Sequence, residues 1–595
     1  MAQTIEDVEL RVRSGDCLYR RDGLICAFMM AGSMLLAQPF VEMGFIDDWS
    51  YIKTAQVFSQ TGHFVYNGWA TATLGWQVLW GALFARLFGF SFVHVRLSTL
   101  PIAMASVYIF HQILVRFGIS RGNAVFASLC LGLSPVFIAM SESYMTDVPG
   151  VFRTLLCLYL CQRAISAATD RARLGWLWFA MVTNIAGGTV RQTVWLGVLF
   201  ILPSAVWLLR KRRVVLWGGA LSWLIGVASI FALMRWFNQQ PYFLTERIPI
   251  EVLTPPALKH TVLRELVLGA LASLSTLVLL LPVLVAWLPT ARSTPKRMVL
   301  WLFGISSALM AICLANYGAH GALGKLGEFA PWLPHVMGGL IPFGRWPRII
   351  VTAVALVSSL ALFLHLRGAL RARGQFANTH TPPWSHIFWL LMPYTVGFIG
   401  ALFIRGLNDI WFDRYLLIPQ AMGIIILLRC YQDFVVPGIG GMRSVFAIGD
   451  FPAVSCLALL TFAVIAVAGT HDWFALFRAR LQAAEEVRRS GVPRTAIQGG
   501  FEYDGWTQLE VVGYVNEPRI QNPPDAFHAP PPTTVARPAC AAPWFSPSLF
   551  PAVVPRYFVV DAPLSCLDST PFSAIPYRTW MPPSRGKVYV QKRKG

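Results

Sequence analysis

Three clusters in this 595-residue chain combine acids, arginines and tyrosines in a way that could move protons and hold charge. The first, Glu42-Met-Gly-Phe-Ile-Asp47-Asp48-Trp-Ser-Tyr51, sets two adjacent carboxylates just past an apolar run. Such carboxylates are costly beside hydrocarbon unless solvated, paired or bound to a metal. As neighbours they also couple their titration, which can leave one more basic. The plain alternative is a solvated loop start with a helix-capping Asp. The second cluster, Ser141-Glu142-Ser-Tyr144-Met-Thr146-Asp147-Val-Pro149, holds another acid. Pro149 suits the first turn of a helix that Thr146 or Asp147 can cap, so capping alone is one reading of Asp147. The third is Asp409-Ile-Trp-Phe-Asp413-Arg414-Tyr415, whose Asp-Arg pair equally suits anchoring at a membrane boundary. Candidate cations are Arg191, next to Gln192 between two apolar runs, Arg153 inside one, and Arg345 and Arg348 flanking Trp346-Pro347. A guanidinium at membrane depth needs a partner, and a lipid phosphate fits its bidentate fork. Snorkelling to the interface is the alternative.

What must position these residues is a membrane-embedded scaffold. Hydrophobic residues make up 55% of the chain and charged ones only 13%, where a soluble chain is nearer a quarter charged. Apolar runs recur at 24–41, 97–115, 124–140, 148–162, 174–190, 193–209, 214–234, 265–289, 298–315, 349–366, 386–404, 415–429 and 452–470. Most are long enough to cross about 30 Å of hydrocarbon as helices, and too continuous for barrel strands. The expected fold class is an all-α polytopic membrane protein of about thirteen transmembrane helices, with a small α+β C-terminal domain. The stretch 77–92 contains Arg86 and glycines, and reads as helices lying at the interface.

With the N-terminus inside, the basic clusters Arg116/Arg121, Arg163/Arg171/Arg173, Arg210-Lys211-Arg212-Arg213, Arg292/Lys296/Arg297, Arg367/Arg371/Arg373 and Arg429/Arg443 all fall on one side. The acids and aromatics gather in outer segments, chiefly the loop 42–77. The expected organisation is a cytoplasmic segment 1–23, a transmembrane domain 24–470, and an extracytoplasmic domain 471–595 that opens with a helix and continues as strands and loops. The acidic, long leader reads as an uncleaved anchor in the plasma (inner) membrane. The net charge of +20 lies in short loops, which points to topology and membrane lipids rather than nucleic acid. Most cysteines lie inside the apolar runs, without metal spacing. Cys540 and Cys566 in the tail are expected to pair in an oxidising compartment.

Asp47-Asp48-Trp-Ser-Tyr51 resembles the acidic first-loop motif of the GT-C membrane glycosyltransferases, in particular the bacterial branch of protein O-mannosyltransferase and aminoarabinose transferase type. Val190-Arg191-Gln192, Met145-Thr-Asp147-Val-Pro149 and Phe412-Asp413-Arg414-Tyr415-Leu-Leu resemble later landmarks of that group. Gly499-Gly500-Phe501-Glu502-Tyr503-Asp504-Gly505-Trp506 resembles a motif in the outer tail of some members. The resemblance implies transfer, with inversion, of a sugar from a polyprenyl-phosphate-linked donor to an acceptor protein, glycan or lipid outside the cytoplasm. Asp47, Asp48 and Asp147 would be the catalytic acids, with a divalent metal, where one is used, on Asp48 and Asp147. Tyr51, Arg191, Arg345, Asp413, Arg414 and Tyr415 would bind substrate. The chain departs from the motif in having Asp as the second acid, which leaves open which acid acts.

Two other classes are compatible with the same composition. A transporter or flippase of a lipid-linked substrate should show duplicated spans and ionisable residues near the midplane; no clear repeat is present, and the acids lie at helix ends. A non-catalytic envelope assembly protein would keep the fold without the base.

Overall fold

The computed structural model describes residues 2–69, 71–245, 255–288, 345–371, 383–407, 412–435, 448–520, 540 and 545–594. The chain is a mostly helical membrane protein with a small sheet near its C-terminus. Among the described residues, five helical stretches are long and apolar enough to cross a membrane: Phe92–Arg116, Arg213–Phe237, Trp384–Arg405, Asp413–Phe434 and Ala453–Arg489. Their outward faces carry large apolar side chains in the open; Trp217 and Phe231 are 72% and 69% exposed. Faces of that kind are stable against lipid and not against water.

The apolar run 124–140 is not one straight crossing. It forms two helices, Arg121–Gly132 and Pro135–Ser141, bent by 61°. Pro135 has no N–H to continue the ladder, and the Ser134 hydroxyl caps the second helix by accepting from the Phe137 N–H at 3.3 Å. The run 193–209 is irregular as well. A 3₁₀ turn Gln192–Trp195 and a π turn Gly197–Ile201 precede the helix Leu202–Leu208. Asn184 stabilises the change of pitch by accepting from the Val198 N–H at 3.0 Å. The run 298–315 lies outside the described residues.

The stretch 77–92 holds most of the helix Gly75–Phe88 and the start of the next, Phe92–Leu97. The helix Asp48–Thr61 packs beside them and stops at Gly62, whose φ of 75° suits glycine.

The long helix Ala453–Arg489 passes Thr470 without a break and carries the tail. There the strands β1 (Ile497–Gln498), β2 (Tyr557–Val560), β3 (Leu567–Ser569), β4 (Ile575–Arg578) and β5 (Arg585–Arg593) form a sheet of order β1-β2-β5-β3, with β4 also on β5. Only β1 and β2 run parallel. Cys540 and Cys566 are disulfide-bonded, as expected. Asp472 fixes the sheet to the long helix by accepting from the Trp580 and Met581 N–H groups at 2.6 and 2.9 Å.

Candidate active site

The two neighbouring acids of the first cluster point to different places. Asp48, the first residue of the helix Asp48–Thr61, is fully buried. One of its carboxylate oxygens accepts from the Phe45 N–H at 2.6 Å; the other accepts from the Tyr144 N–H at 3.1 Å and from Arg96 Nε at 3.2 Å. Arg96, itself buried, also donates to the carbonyls of Pro39, Val41 and Met43. The Asp48–Arg96 pair therefore ties the first loop to the short helix Phe92–Leu97 and to the turn after Ser141. Arg96 was not among the sequence candidates, although an arginine inside the apolar run Phe92–Leu97 is the signal that could have found it.

Asp47, one residue earlier, lines a cavity of about 1780 Å³ that includes the space at its mouth. A fifth of its side chain stays exposed there. Its Oδ1 accepts from Trp69 Nε1 at 3.1 Å, and Oδ2 lies 3.5 Å from an Arg414 nitrogen. Burial pushes the Asp47 carboxyl above the ordinary range, against the pull of Arg414 and the Trp69 hydrogen bond, with Asp147 adding to the rise. Tyr51 lies one turn on, at the cavity wall and nearly buried.

The other clusters converge on the same cavity. Asp147 forms an ion pair with Arg191 and sits 3.7 Å from Arg414 Nε. The Arg191 guanidinium lies over the Tyr415 ring, 4.6 Å from its centre. Arg405, missed in the sequence, donates from Nε to the Tyr415 hydroxyl at 3.1 Å and also lines the cavity. Residues 47, 147, 191 and 414, far apart in the chain, thus meet in one wall. Asp413 is buried and does not line the cavity. Arg345 opens the helix Arg345–Arg371, and its side chain lies outside the described residues. A narrower cleft, about 280 Å³ including the space at its mouth, is lined by Asp147, Arg191 and Arg414 together with the apolar side chains of Val151, Phe398, Leu417 and Ile418.

The tail covers this site. The helix Phe501–Val511 packs on the helix Asp48–Thr61, and a Cβ at Gly505 would come within 2.9 Å of the Trp49 ring. Phe501 meets Trp49 and Trp69 at ring-centre distances of 5.8 and 5.3 Å, so the tail motif packs against the indole that donates to Asp47. Gly500 has φ 106°, and a Cβ there would overlap the Arg480 guanidinium, which donates to the Gly499 carbonyl at 2.9 Å. Burial pushes the Glu502 carboxyl up to about 7 against the pull of Arg480, with Asp47 and Asp48 adding to the rise. Glu517, Arg519 and Leu549 reach the cavity from the tail. Nothing in the sequence placed Trp69 or these tail residues, because their position depends on how the loops fold.

The acids expected to hold a metal are already partnered by arginines. Asp48 is closed off by Arg96 and two backbone N–H groups, while Asp147 lies against Arg191 and Arg414. Among the described residues, no three acidic, histidine or cysteine side chains group as a metal site requires. A divalent cation at Asp48 and Asp147 would have to displace three guanidinium groups, so the donor set does not fit one.

No protein-family model matches the chain, and no curated protein matches it significantly. Solved structures do resemble it. One is ArnT from Cupriavidus metallidurans in the apo state, at 14% identity and TM-score 0.33, covering 81% of each chain. Another is the archaeal oligosaccharyltransferase AglB from Archaeoglobus fulgidus, at 12% identity and TM-score 0.36, covering 90% of this chain and 63% of that one. The S. cerevisiae protein O-mannosyltransferase Pmt1-Pmt2 complex matches at 15% identity and TM-score 0.31 over 37% of this chain. This chain spans about a third of the length of that yeast chain, 33%.

Proposed function

We propose that the chain transfers a sugar from a polyprenyl-phosphate-linked donor to an acceptor hydroxyl, with Asp47 as general base. The observation that carries this reading is the arrangement of the cavity: Asp47, a carboxylate held above its ordinary pKa, lines an open space together with Arg191, Arg405 and Arg414. In the step, the acceptor oxygen attacks the anomeric carbon while its proton passes to Asp47. The bond from that carbon to the phosphate oxygen breaks, and the leaving polyprenyl phosphate keeps the electron pair. Attack opposite the leaving group inverts the centre. A base of raised pKa is well matched to a hydroxyl proton. Fixed guanidinium groups stabilise the charge that develops on the phosphate. Asp147 holds Arg191 and Arg414 in place as a positioning residue, and Tyr415 supports Arg191 and Arg405 from beneath. The apolar side chains beside the arginines, Val151, Phe398, Leu417 and Ile418, are where the first prenyl units of the donor would lie. In this reading Asp48 is structural rather than catalytic, and no step runs through a metal.

Cells lacking the protein should accumulate a polyprenyl-phosphate-linked sugar, identifiable by mass, that falls again on complementation with the wild-type chain. An unchanged lipid-linked pool and an unchanged glycan profile would sink the proposal. The site is proposed to face outside the cytoplasm, on the strength of the one-sided basic loops. Reporters fused after Lys211 and after Gly500 should then lie on opposite sides of the membrane; a same-side result would refute that orientation.

A further inference from the structure

Trp69 lines the cavity of the acidic site, and its indole Nε1 donates to Asp47 Oδ1 at 3.1 Å. The other carboxylate oxygen lies 3.5 Å from an Arg414 nitrogen, so the group is held from two sides by distant parts of the chain. The backbone before it is strained. Ile46 has φ 59°, a region that β-branched residues rarely adopt. Strain of that kind persists only where the surroundings over-determine it, and it gathers at functional sites. The bonds of Asp48 to the Phe45 N–H and to Arg96 secure the turn, but neither touches the Asp47 side chain.

The loop that carries Trp69 is pinned on both sides of it. Asn67 Oδ1 accepts from the Ser50 hydroxyl at 2.7 Å, and Asn67 Nδ2 donates to the Ser50 carbonyl at 2.8 Å. The Asn67 carbonyl accepts from the Val515 N–H of the tail at 2.8 Å, and the Gly68 N–H donates to the Tyr242 carbonyl at 2.9 Å. Two residues past Trp69, the Thr71 carbonyl accepts from Gln192 Nε2 at 2.7 Å. The indole itself packs against two rings, Trp49 at 5.5 Å and Phe501 at 5.3 Å, centre to centre. Trp49 belongs to the helix that Asp47 precedes, and Phe501 opens the tail helix. With loop and ring both held, the direction of the N–H is set by the fold rather than by Asp47.

We propose that Trp69 is a positioning residue for the base: its indole N–H fixes the Asp47 carboxylate for proton transfer, and Phe501 of the tail holds the indole at that angle. This rests on the transferase reading with Asp47 as base. With Oδ1 occupied by the indole, Oδ2 takes the acceptor proton. Burial raises the Asp47 carboxyl, and the indole bond opposes that rise by favouring the ionised form. The charged and titratable groups around Asp47 are Asp48 and Tyr51 on the helix that follows, Arg414 and Asp147 from the other clusters, and Glu502 from the tail.

The test is the pH profile of kcat for the full-length chain in detergent. The probes are the lipid-linked sugar extracted from cells lacking the protein and, as acceptor, the envelopes of those cells; released polyprenyl phosphate is counted. Trp69→Phe keeps an aromatic ring in place and removes the donor. Its acid limb should move up by about one pH unit, as loss of a hydrogen bond to a charged group predicts, and its plateau should fall about tenfold. KM for the lipid-linked sugar should not change, since the arginines are untouched. Phe501→Leu keeps the donor but loosens it. It should move the limb in the same direction, and it should add nothing in the Trp69→Phe background. Glu502→Gln should retain the limb, which then belongs to Asp47. The proposal is overturned if Trp69→Phe, at an unchanged thermal midpoint, keeps the wild-type limb and plateau. It is also overturned if Phe501→Leu shifts the limb as far without the indole as with it. In either case an inactive Asp47→Asn leaves the base assigned and removes only the role of Trp69, whereas an active Asp47→Asn removes both.

Discussion

Asp47→Asn should lower sugar transfer by about 10²-fold or more, the scale of general acid–base effects, while protein level and membrane insertion stay normal. The amide keeps the shape and can still accept from Trp69 Nε1, but it cannot take the acceptor proton. In the wild type, activity should fall on the acid side through a pKa above the ordinary aspartate value, because burial raises the Asp47 carboxyl and only the ionised form is a base. The acid limb should vanish from the residual activity of the Asn variant. Asp48→Asn should behave differently. It leaves buried Arg96 without its counter-charge, and breaking a buried pair by removing one partner costs roughly 3–5 kcal/mol. The expected result is a lower yield of folded protein, with the folded fraction still able to transfer sugar. If Asp48→Asn folds normally and is inactive while Asp47→Asn transfers at the wild-type rate, the base has been assigned to the wrong neighbour.

Arg414→Gln should cost about 10²–10³-fold in kcat, comparable to removal of one preorganised oxyanion donor. This guanidinium lies 3.5 Å from Asp47 and 3.7 Å from Asp147 and borders both the main cavity and the apolar cleft. It is the group best placed to meet a phosphate whose lipid tail lies in that cleft. Because its role is in the departure of the phosphate, a donor with a more acidic leaving group should lose less rate in the variant. A purely structural role would slow both donors equally. Unchanged kcat with either donor would remove Arg414 from the chemistry.

The sequence carried the membrane class, because long apolar runs have few structural solutions in lipid. It also carried the grouping of Asp47, Asp147, Arg191 and Arg414, since sidedness brings distant helix ends to one surface. It did not distinguish Asp47 from Asp48. Adjacent residues at a helix start project in different directions, and only the positions of Arg96 and Trp69 decide which carboxylate faces the cavity. Arg405 carries no sequence signal of its own, because only the fold sets it against the Tyr415 hydroxyl. Hydropathy likewise gave no sign of the 61° bend within 124–140, because a scale that sums residue polarity is nearly blind to the missing N–H of Pro135.

The join at Thr470, where composition changes abruptly, is no seam in the molecule. The helix Ala453–Arg489 crosses it intact, and the tail returns through Phe501 and Gly505 to pack on Trp49, two residues from Asp47. The tail is therefore not an interchangeable module. A graft of residues 471–595 from another protein would bring half of a helix and half of an aromatic contact, and it would match only if the first loop, 42–77, came with it.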